Sequence, residues 1–274
     1  MITIELMGGL GNQLFQIFAA IGYSYRHNIP FFFETKEISM GWRKNQYWDT
    51  FLSSLRPFLK STETNIGYRD PHFHFTEISF LGNDNDNKLF GYFQSYKYFD
   101  GYKPEIFELI GLEKRKTELR RKITIDSENT ISMHFRIGDY QKIQEHHPIL
   151  PPNYYVKALH EIIQQCGKKD WNVLYVCEED DNTLVDATIN TLRNIFPTLT
   201  FAKLDGRLED WEQILAMSIC RHHIIANSTF SWFGAYFNTQ NDKLVFYPSV
   251  WFGPAQGTKK MEDLFPKEWR KILV

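Results

Sequence analysis

The spacing of hydrophobic residues along the chain follows two patterns, which occur in turn. Short apolar runs are typical of buried strands, and stretches with apolar residues three and four apart are typical of helices. The chain begins with a strand at 2–7, a helix at 12–26 and a strand at 29–34, which is the β-α-β unit of a parallel sheet. From residue 130 the alternation predicts strands at 130–135, 172–177, 199–204, 222–226 and 243–248, and helices at 153–166, 181–195, 209–220 and from Ser228 onward.

The stretch between these two regular parts is less periodic. Residues 35–90 carry many aromatic side chains with few clear periods, and the apolar segment 88–99 is predicted to return to the first sheet. The charged segment 112–122 predicts an exposed helix that links two halves. We therefore expect an α/β protein with two domains, 1–125 on the acceptor side and 126–274 for the ligand, and leave open whether a last helix packs back on the first domain. Repeated β-α-β units predict a doubly wound sheet, whose ligands lie beyond the carboxyl ends of the strands.

Composition narrows the class of protein. A chain of 274 residues with 43% hydrophobic and 16% aromatic residues is typical of a globular protein with a real core. A formal charge of −2 argues against a broad nucleic-acid-binding surface. The three cysteines have no metal-like spacing and are expected to be reduced thiols. Since the sequence shows no signal region and no apolar run of roughly 18 residues, we expect a cytoplasmic protein, with peripheral contact at the inner membrane face left open.

A glycine-rich sequence, GGLGNQ, stands between the first predicted strand and helix. Glycine lets the backbone approach a ligand closely, so Gly9 and Gly11 are predicted to line a binding loop in which Asn12 and Gln13 supply amide hydrogen bonds. A dinucleotide-binding loop would need a third glycine where Leu14 stands. The alternative is an ordinary strand-to-helix turn with Asn12 as its cap.

A second group of polar residues, in the sequence HFRIGDY, ends the predicted strand 130–135. Alternation places His134 and Arg136 on the same face of that strand. A guanidinium can bind a diphosphate through two hydrogen bonds and stabilise the charge of a leaving group, so Arg136 is a candidate catalytic residue. Asp139 is predicted either to orient Arg136 or to act on an acceptor hydroxyl. The alternative is an ion pair between Arg136 and Asp139, with His134 a core residue.

A third group, Asn227, Ser228 and Thr229, begins a helix directly after the predicted strand 222–226. Free N–H groups, hydroxyls and the positive end of the helix dipole make such a start a phosphate site, although an ordinary N-cap uses the same residues. Both groups end strands in the same half of the chain. In a parallel sheet they would share one edge, and together they predict a diphosphate site.

Other candidates are weaker. Asp210 opens a helix, where capping is the default role and contact with a guanine base is the alternative. The acidic segment 178–181 either contacts a ribose or begins a helix. The NDNDN sequence at 83–87 resembles an Asp-x-Asp metal motif, but its turn-forming residues favour a solvated loop. No metal ligands are expected.

The segments GGLGNQLFQ, GYFQSYKYF, HFRIGDY and ANSTFSWFGAY occur in this order and resemble the bacterial-type α-1,2-fucosyltransferases, glycosyltransferase family 11. The resemblance spans most of the chain. It implies a GT-B-like fold of two Rossmann-like lobes with a cleft between them, and GDP-fucose as donor. It also implies inversion at the fucose anomeric carbon without a metal or other cofactor. The implied acceptor is the 2-hydroxyl of a galactose-containing oligosaccharide or lipid-linked glycan, as in surface polysaccharide biosynthesis.

The resemblance also implies roles for single residues. Arg136 would bind the donor diphosphate, His134 would line the nucleotide pocket, and Ser228 and Thr229 would hold phosphate oxygens. Asn12 would reach across the cleft towards the sugar or the diphosphate.

This chain departs from the family pattern at two places. Arg136-Ile137 stands where the family usually has two adjacent arginines, so phosphate binding depends on Arg136. Trp232-Phe233 stands where the family has a tryptophan pair, and Phe233 keeps the apolar bulk. Two other functions stay open: a catalytically silent sugar-nucleotide or glycan-binding protein, and an NAD-dependent oxidoreductase.

Overall fold

The computed structural model describes residues 1–35, 47–82 and 85–274, so the first two residues of the NDNDN segment and part of the aromatic stretch lie outside the described residues. The described chain divides into two compact units. Unit 1 is Met1–Arg115 with Lys259–Pro266, and unit 2 is Lys116–Thr258 with Lys267–Val274.

The described residues form strands and helices in alternation for most of the chain. The strands are β1 Ile2–Ile4, β2 Phe33–Glu34, β3 Leu59–Lys60, β4 Ile66–Arg69, β5 Asn87–Phe90, β6 Thr130–His134, β7 Asn172–Val176, β8 Thr200–Lys203, β9 His222–Ile224, β10 Val245–Pro248 and β11 Arg270–Ile272. The helices are α1 Leu10–His27, α2 Lys103–Leu109, α3 Leu112–Arg120, α4 Pro152–Cys166, α5 Asn182–Ile195, α6 Asp210–Ile219 and α7 Thr229–Tyr236.

Unit 1 is built on parallel strands. β1, β5 and β4 form a sheet in the order β1-β5-β4, and β2 pairs with β3. Two backbone hydrogen bonds connect the chain before β2 to β1: Ile2 N–H donates to Pro30 O at 2.9 Å, and Phe32 N–H donates to Ile2 O at 3.0 Å. The predicted return of segment 88–99 to the first sheet is confirmed, because β5 pairs with β1.

Helix α1 packs closely in unit 1. Its middle is buried on all sides, and Leu14, Phe15, Ile17 and Phe18 are all fully buried. Gly22 allows the helix to lie against the chain that follows β5, since a Cβ atom there would come within 2.3 Å of the Tyr98 carbonyl oxygen.

Unit 2 holds a six-stranded parallel sheet in the order β11-β10-β9-β6-β7-β8. β6 is a central strand, and β7 and β8 follow it in order to one edge of the sheet. The chain then returns to the other side of β6, where β9, β10 and β11 follow in order to the opposite edge. This is the order of the doubly wound dinucleotide-binding fold, and β6 and β9 flank the point where it reverses. Ligands of such sheets bind at that point, beyond the carboxyl ends of the strands. The α/β class with parallel sheets is therefore confirmed.

The two faces of β6 pack against different helices, as the alternation predicted. Met133 and Phe135 belong to the core cluster shared with α4 and α5, and the Phe135 ring lies 4.3 Å from the ring of Tyr155. His134 lies on the opposite face, with its ring 5.4 Å from that of Phe230 in α7.

The end of the chain differs from the expectation. The segment 243–248 was predicted to be the last strand, but β11 follows it and pairs with β10. In the described part of the chain no α-helix follows α7, so the last helix that we allowed for is replaced by a strand at the sheet edge. None of the described helices has the length and apolarity needed to cross a membrane.

Candidate active site

Two of the predicted groups meet at the reversal point of the unit 2 sheet. In the pairing of β6 with β9, Met133 lies opposite Ile224. Continuing equally far along both strands brings Arg136 level with Asn227, just beyond the carboxyl ends. The Tyr140 hydroxyl joins the two segments, since it donates to the Asn227 carbonyl oxygen at 3.1 Å. The shared edge that the sequence predicted is thus the most favourable ligand position of this fold.

Two carboxylates hold the Arg136 guanidinium. Its Nη1 donates to Glu178 Oε1 at 2.5 Å, its Nη2 pairs with Asp139, and its central carbon lies 4.9 Å from the centre of the Tyr140 ring. The Arg136 side chain is only 19% exposed, whereas those of Asp139 and Glu178 are 66% and 46% exposed. Because the carboxylates are the exposed partners, phosphate oxygens can replace them while the guanidinium stays where it is.

The ion pair that the sequence allowed between Arg136 and Asp139 is therefore present. It gives Asp139 an orienting contact with the guanidinium. The contact supports the first of the two roles considered for Asp139, which is to position Arg136.

The turn after Arg136 is held by a residue that the sequence did not single out for this purpose. Gly138 has φ +28°, and its N–H donates to Asp181 Oδ2 at 2.8 Å. Asp181 is 1% exposed, and burial raises the pKa of its carboxyl above the usual value. Glu178 and Asp181 follow β7 and come close to Arg136 through the pairing of β6 with β7, so no local pattern marks their role.

Helix α7 begins at the same edge of the sheet. Ser228 is its N-cap, and Ser228 Oγ accepts a hydrogen bond from the Phe230 N–H at 3.3 Å. Ser231 Oγ accepts one from the Ala226 N–H at 3.2 Å. The ordinary capping role is therefore observed. The first turn of α7, which starts at Thr229, directs the positive end of the helix dipole beyond the β9 end.

Two buried polar atoms near the reversal point have no hydrogen-bond partner among the residues that the structure describes. Asn227 is 1% exposed and donates to Pro148 O and Trp251 O, but its Oδ1 accepts nothing. His134 is 6% exposed and its Nδ1 is equally unpaired. Such atoms raise the free energy of the folded state, and they cluster where a ligand or water supplies the missing bond.

His134 is a neutral side chain. Burial, helped by the charge of Arg136, lowers its pKa to about 3. Burial also lowers the pKa of His222 to about 4 and that of His223 well below the usual value. A neutral imidazole can donate or accept a hydrogen bond to a ligand at this edge of the sheet, but it adds no charge for phosphate.

These histidines predict how stability depends on pH. Between about pH 5 and 6 each histidine binds a proton in the unfolded chain and almost none in the folded chain. The stability that is present above about pH 6.5 is therefore lost as the pH falls. In this range each histidine lowers the free energy of unfolding by about 1 kcal/mol for each unit by which the pH falls. We expect the His134→Gln variant to lose the contribution of His134 to this pH dependence, measured as the free energy of unfolding in urea from pH 4.5 to 7. The exposed His160 serves as control through His160→Gln. Equal slopes for His134→Gln and wild type would contradict the prediction.

Asp210 lies in the first turn of α6, which follows the edge strand β8. Its Oδ1 accepts the Trp211 N–H at 2.7 Å, and Glu209 and Glu212 form a capping box. The helix start is thus capped without Asp210. α6 leads from the edge strand β8 back to β9 in the parallel sheet, so it begins at the same edge of the sheet as Arg136.

The glycine loop belongs to unit 1, where it follows β1. Gly9 is the N-cap of α1 and makes no side-chain cap, so the alternative that Asn12 caps the helix is wrong: Gly11 and Asn12 lie in the first turn. Asn12 Oδ1 accepts from Gln94 Nε2 at 2.8 Å, and Gln13 Nε2 donates to the Gly8 carbonyl oxygen at 2.9 Å. The Asn12 amide therefore connects the loop to the chain that follows β5, whereas the Gln13 amide forms a hydrogen bond within the loop.

Within the described ranges, no group of three or more histidine, cysteine, aspartate or glutamate side chains is arranged to hold a metal ion.

Comparisons with known proteins agree with the motif pattern. The Glycosyl transferase family 11 model matches residues 55–273. The O-antigen biosynthesis glycosyltransferase WbnK of Escherichia coli is 28% identical over 84% of this chain and 76% of that protein. An alpha-1,2-colitosyltransferase of Escherichia coli is 24% identical over 99% of this chain and 98% of that protein. A galactoside 2-alpha-L-fucosyltransferase of Caenorhabditis elegans is 27% identical over 99% of this chain and 79% of that protein.

Among solved structures, a family 9 glycosyl transferase of Veillonella parvula aligns with 100% of this chain and 86% of that chain, at 11% identity and a TM-score of 0.49. The sequence match to the family model covers most of the chain and includes both groups at the reversal point of the unit 2 sheet. The chain therefore belongs to glycosyl transferase family 11 and is a glycosyltransferase.

Proposed function

We propose that this glycosyltransferase moves L-fucose from GDP-β-L-fucose to the 2-hydroxyl of a galactose-type acceptor, with inversion at the fucose anomeric carbon. One observation carries the proposal: Arg136 and the first turn of α7 lie on neighbouring strands at the reversal point of a nucleotide-binding-type sheet. A cation and a helix N-terminus at one position are suited to a diphosphate. The fucosyltransferase names of two relatives support fucose as the donor sugar.

The donor bond breaks as negative charge grows on the β-phosphate of GDP. Arg136 stabilises that charge through its two guanidinium nitrogens, and the N–H groups at the start of α7 stabilise it through the helix dipole. Glu178 and Asp139, which pair with Arg136 in the free protein, keep the guanidinium oriented until phosphate oxygens replace them. These groups supply the positive charge that other transferases take from a metal, so metal-independent transfer is part of the proposal.

The acceptor is a galactose-containing oligosaccharide or a lipid-linked glycan of surface polysaccharide biosynthesis, handled in the cytoplasm. The similarity to WbnK, an O-antigen biosynthesis glycosyltransferase, supports this class of acceptor. A second donor, a colitose-carrying nucleotide, is favoured by the colitosyltransferase relative, which aligns over 99% of this chain.

A two-stage assay tests the function. We expect GDP to raise the melting temperature more than UDP or NADH does, because the site binds a guanosine diphosphate. We then expect the protein to release GDP from GDP-fucose when lactose or N-acetyllactosamine is present and to form a 1→2-linked product. Stabilisation by GDP without turnover on any β-galactoside would favour a silent binding protein. Stabilisation by NADH alone would favour the oxidoreductase.

A further inference from the structure

A second ligand edge lies in unit 1, where β4 and β5 end side by side. Asp70 follows β4 and Gly91 follows β5, and the Asp70 N–H donates to the Phe90 carbonyl oxygen at 2.8 Å. β1 is parallel to β5, so the glycine loop after β1 lies at the same edge. In α/β sheets this edge is where ligands bind.

The Asp70 carboxylate is only half satisfied. The backbone N–H groups of His72 and Phe93 lie close to it, whereas Oδ1 is buried and accepts no hydrogen bond from the described residues. The hydroxyl of Tyr68, which lies two residues earlier and so on the same side of β4, is also buried and unpaired. An unpaired carboxylate oxygen next to an unpaired hydroxyl suits a ligand that carries its own hydroxyl groups.

The backbone around Asp70 adopts uncommon conformations that bring it close to β5. Gly91 has φ +153°, and a Cβ atom there would lie 2.3 Å from the Asp70 Cβ, so only glycine allows this approach. Phe93 is fully buried and has φ +49°, which is unusual for a bulky residue. Strain of this kind is concentrated at functional sites, and here it directs the Phe93 N–H to the carboxylate.

The same segment offers an apolar face and an amide pair. Tyr92, between Gly91 and Phe93, is 45% exposed, and an exposed aromatic ring can pack on the C–H surface of a sugar. Gln94 donates to Asn12 at 2.8 Å, which connects the segment to the glycine loop. Carboxylate, ring and amides together are the groups by which proteins recognise a carbohydrate.

We propose that Asp70 binds a hydroxyl group of the acceptor sugar through Oδ1, with Tyr92 packing against the same sugar. The assignment rests on the proposed function and adds the residue that recognises the acceptor. The ionised carboxylate accepts a hydrogen bond from the sugar hydroxyl, and the Tyr68 hydroxyl is placed to serve a second polar group of the ligand.

Ionisation of Asp70 makes the interaction dependent on pH. Burial raises its pKa to about 6. The titratable groups near it are His72 on its own loop, Tyr68 on β4 and Tyr98 after β5. Above about pH 6 the carboxylate is charged and accepts the stronger hydrogen bond. Below that pH it is protonated, so the acceptor should bind more weakly.

The kinetic test compares Asp70→Asn with the control variant Asp86→Asn. Asp86 lies directly before the first residue of β5, whereas Asp70 lies near its last residue, and Asp86 pairs with the N-terminal amine. With GDP-fucose as donor and lactose as acceptor, we expect Asp70→Asn to raise the acceptor KM at least about tenfold at pH 7.5. The donor KM should stay within about threefold of wild type, and Asp86→Asn should match wild type. Wild-type kcat/KM for lactose should fall below pH 6, and this fall should be absent in Asp70→Asn.

The outcomes separate the two proposals. If the wild-type protein transfers no fucose from GDP-fucose to any β-galactoside, the proposed function is overturned, and the Asp70 assignment with it. The Asp70 assignment alone is overturned if the wild-type enzyme transfers normally but the Asp70→Asn variant has an acceptor KM close to the wild-type value. It is also overturned if the donor KM of the variant is raised as much as its acceptor KM. If the variant does not fold, a wild-type acceptor kcat/KM that is constant from pH 5 to 8 overturns it.

Discussion

Arg136→Ala lowers kcat for transfer from GDP-fucose by at least about 100-fold, the range seen when one preorganised donor to a developing oxyanion is removed. The reason is that this guanidinium is the strong positive group at the reversal point, where the family pattern's second arginine is replaced by Ile137. Steady-state GDP release at saturating donor measures the effect. Arg136→Lys should recover only part of the rate, because an ammonium lacks the planar fork.

The control for that experiment is Arg207→Ala. Arg207 is paired with Asp205 in a loop of unit 2, and its side chain is 90% exposed. It should keep wild-type turnover. If Arg136→Ala instead turned over within threefold of wild type, Arg136 would have no role in stabilising the leaving group.

Lys88→Met destabilises unit 1 by about 3–5 kcal/mol, because it removes one partner of a buried ion pair and leaves the other charged. The Lys88 side chain is 6% exposed and lies 2.8 Å from Glu34, which is 7% exposed, and 3.3 Å from Glu5. Glu34 also accepts the Thr64 N–H at 2.8 Å, so its carboxylate cannot move out to water without breaking that bond. Urea unfolding at pH 7 measures the loss.

Two further variants make the Lys88 prediction specific. Arg56→Ala breaks an exposed pair with Asp49, whose side chains are 60% and 79% exposed, and should change stability by about 1 kcal/mol or less. The double variant Lys88→Met/Glu34→Leu should recover much of the loss, since no buried charge is then left alone. A Lys88→Met protein as stable as Arg56→Ala would mean that Glu34 is solvated or protonated without Lys88.

Glu34 also shows why a sequence pattern can mislead. An acid at the end of the second strand is what a ribose-binding unit would have, but here its carboxylate bonds to Lys88 and Thr64. Lys88 lies within a strand that the aromatic pattern predicted only loosely. The pairing between these residues comes from the tertiary arrangement of β2, β3 and β5, which no local period encodes.

Much of unit 2 follows from local pattern because its strands are buried and its helices have clear ends. Helix α4 ends at Cys166, as the predicted range 153–166 has it, and Gly167 follows it at φ +63°. β11 was missed because Arg270 and Lys271 are exposed, so an edge strand of this kind has no apolar signature. β4 was missed for the same reason, as three of its four residues are exposed.

The candidate site was predictable as two strand ends but not as one place. The sequence put Arg136 and Ser228 at strand ends of the same half. Their adjacency depends on the strand order, in which β9 lies beside β6 although β7 and β8 come between them in the chain. The contact of Arg136 with Glu178 and the unpaired oxygen of Asp70 are likewise products of tertiary packing and were not predicted.

A crystal structure of the protein with GDP tests the central proposal most directly. We predict that the β-phosphate lies within hydrogen-bond distance, about 2.7–3.2 Å, of an Arg136 guanidinium nitrogen and of a backbone N–H in the first turn of α7. Glu178 and Asp139 should then have given up at least one of their bonds to Arg136. A diphosphate bound elsewhere, with both carboxylates still paired to Arg136, would contradict the account.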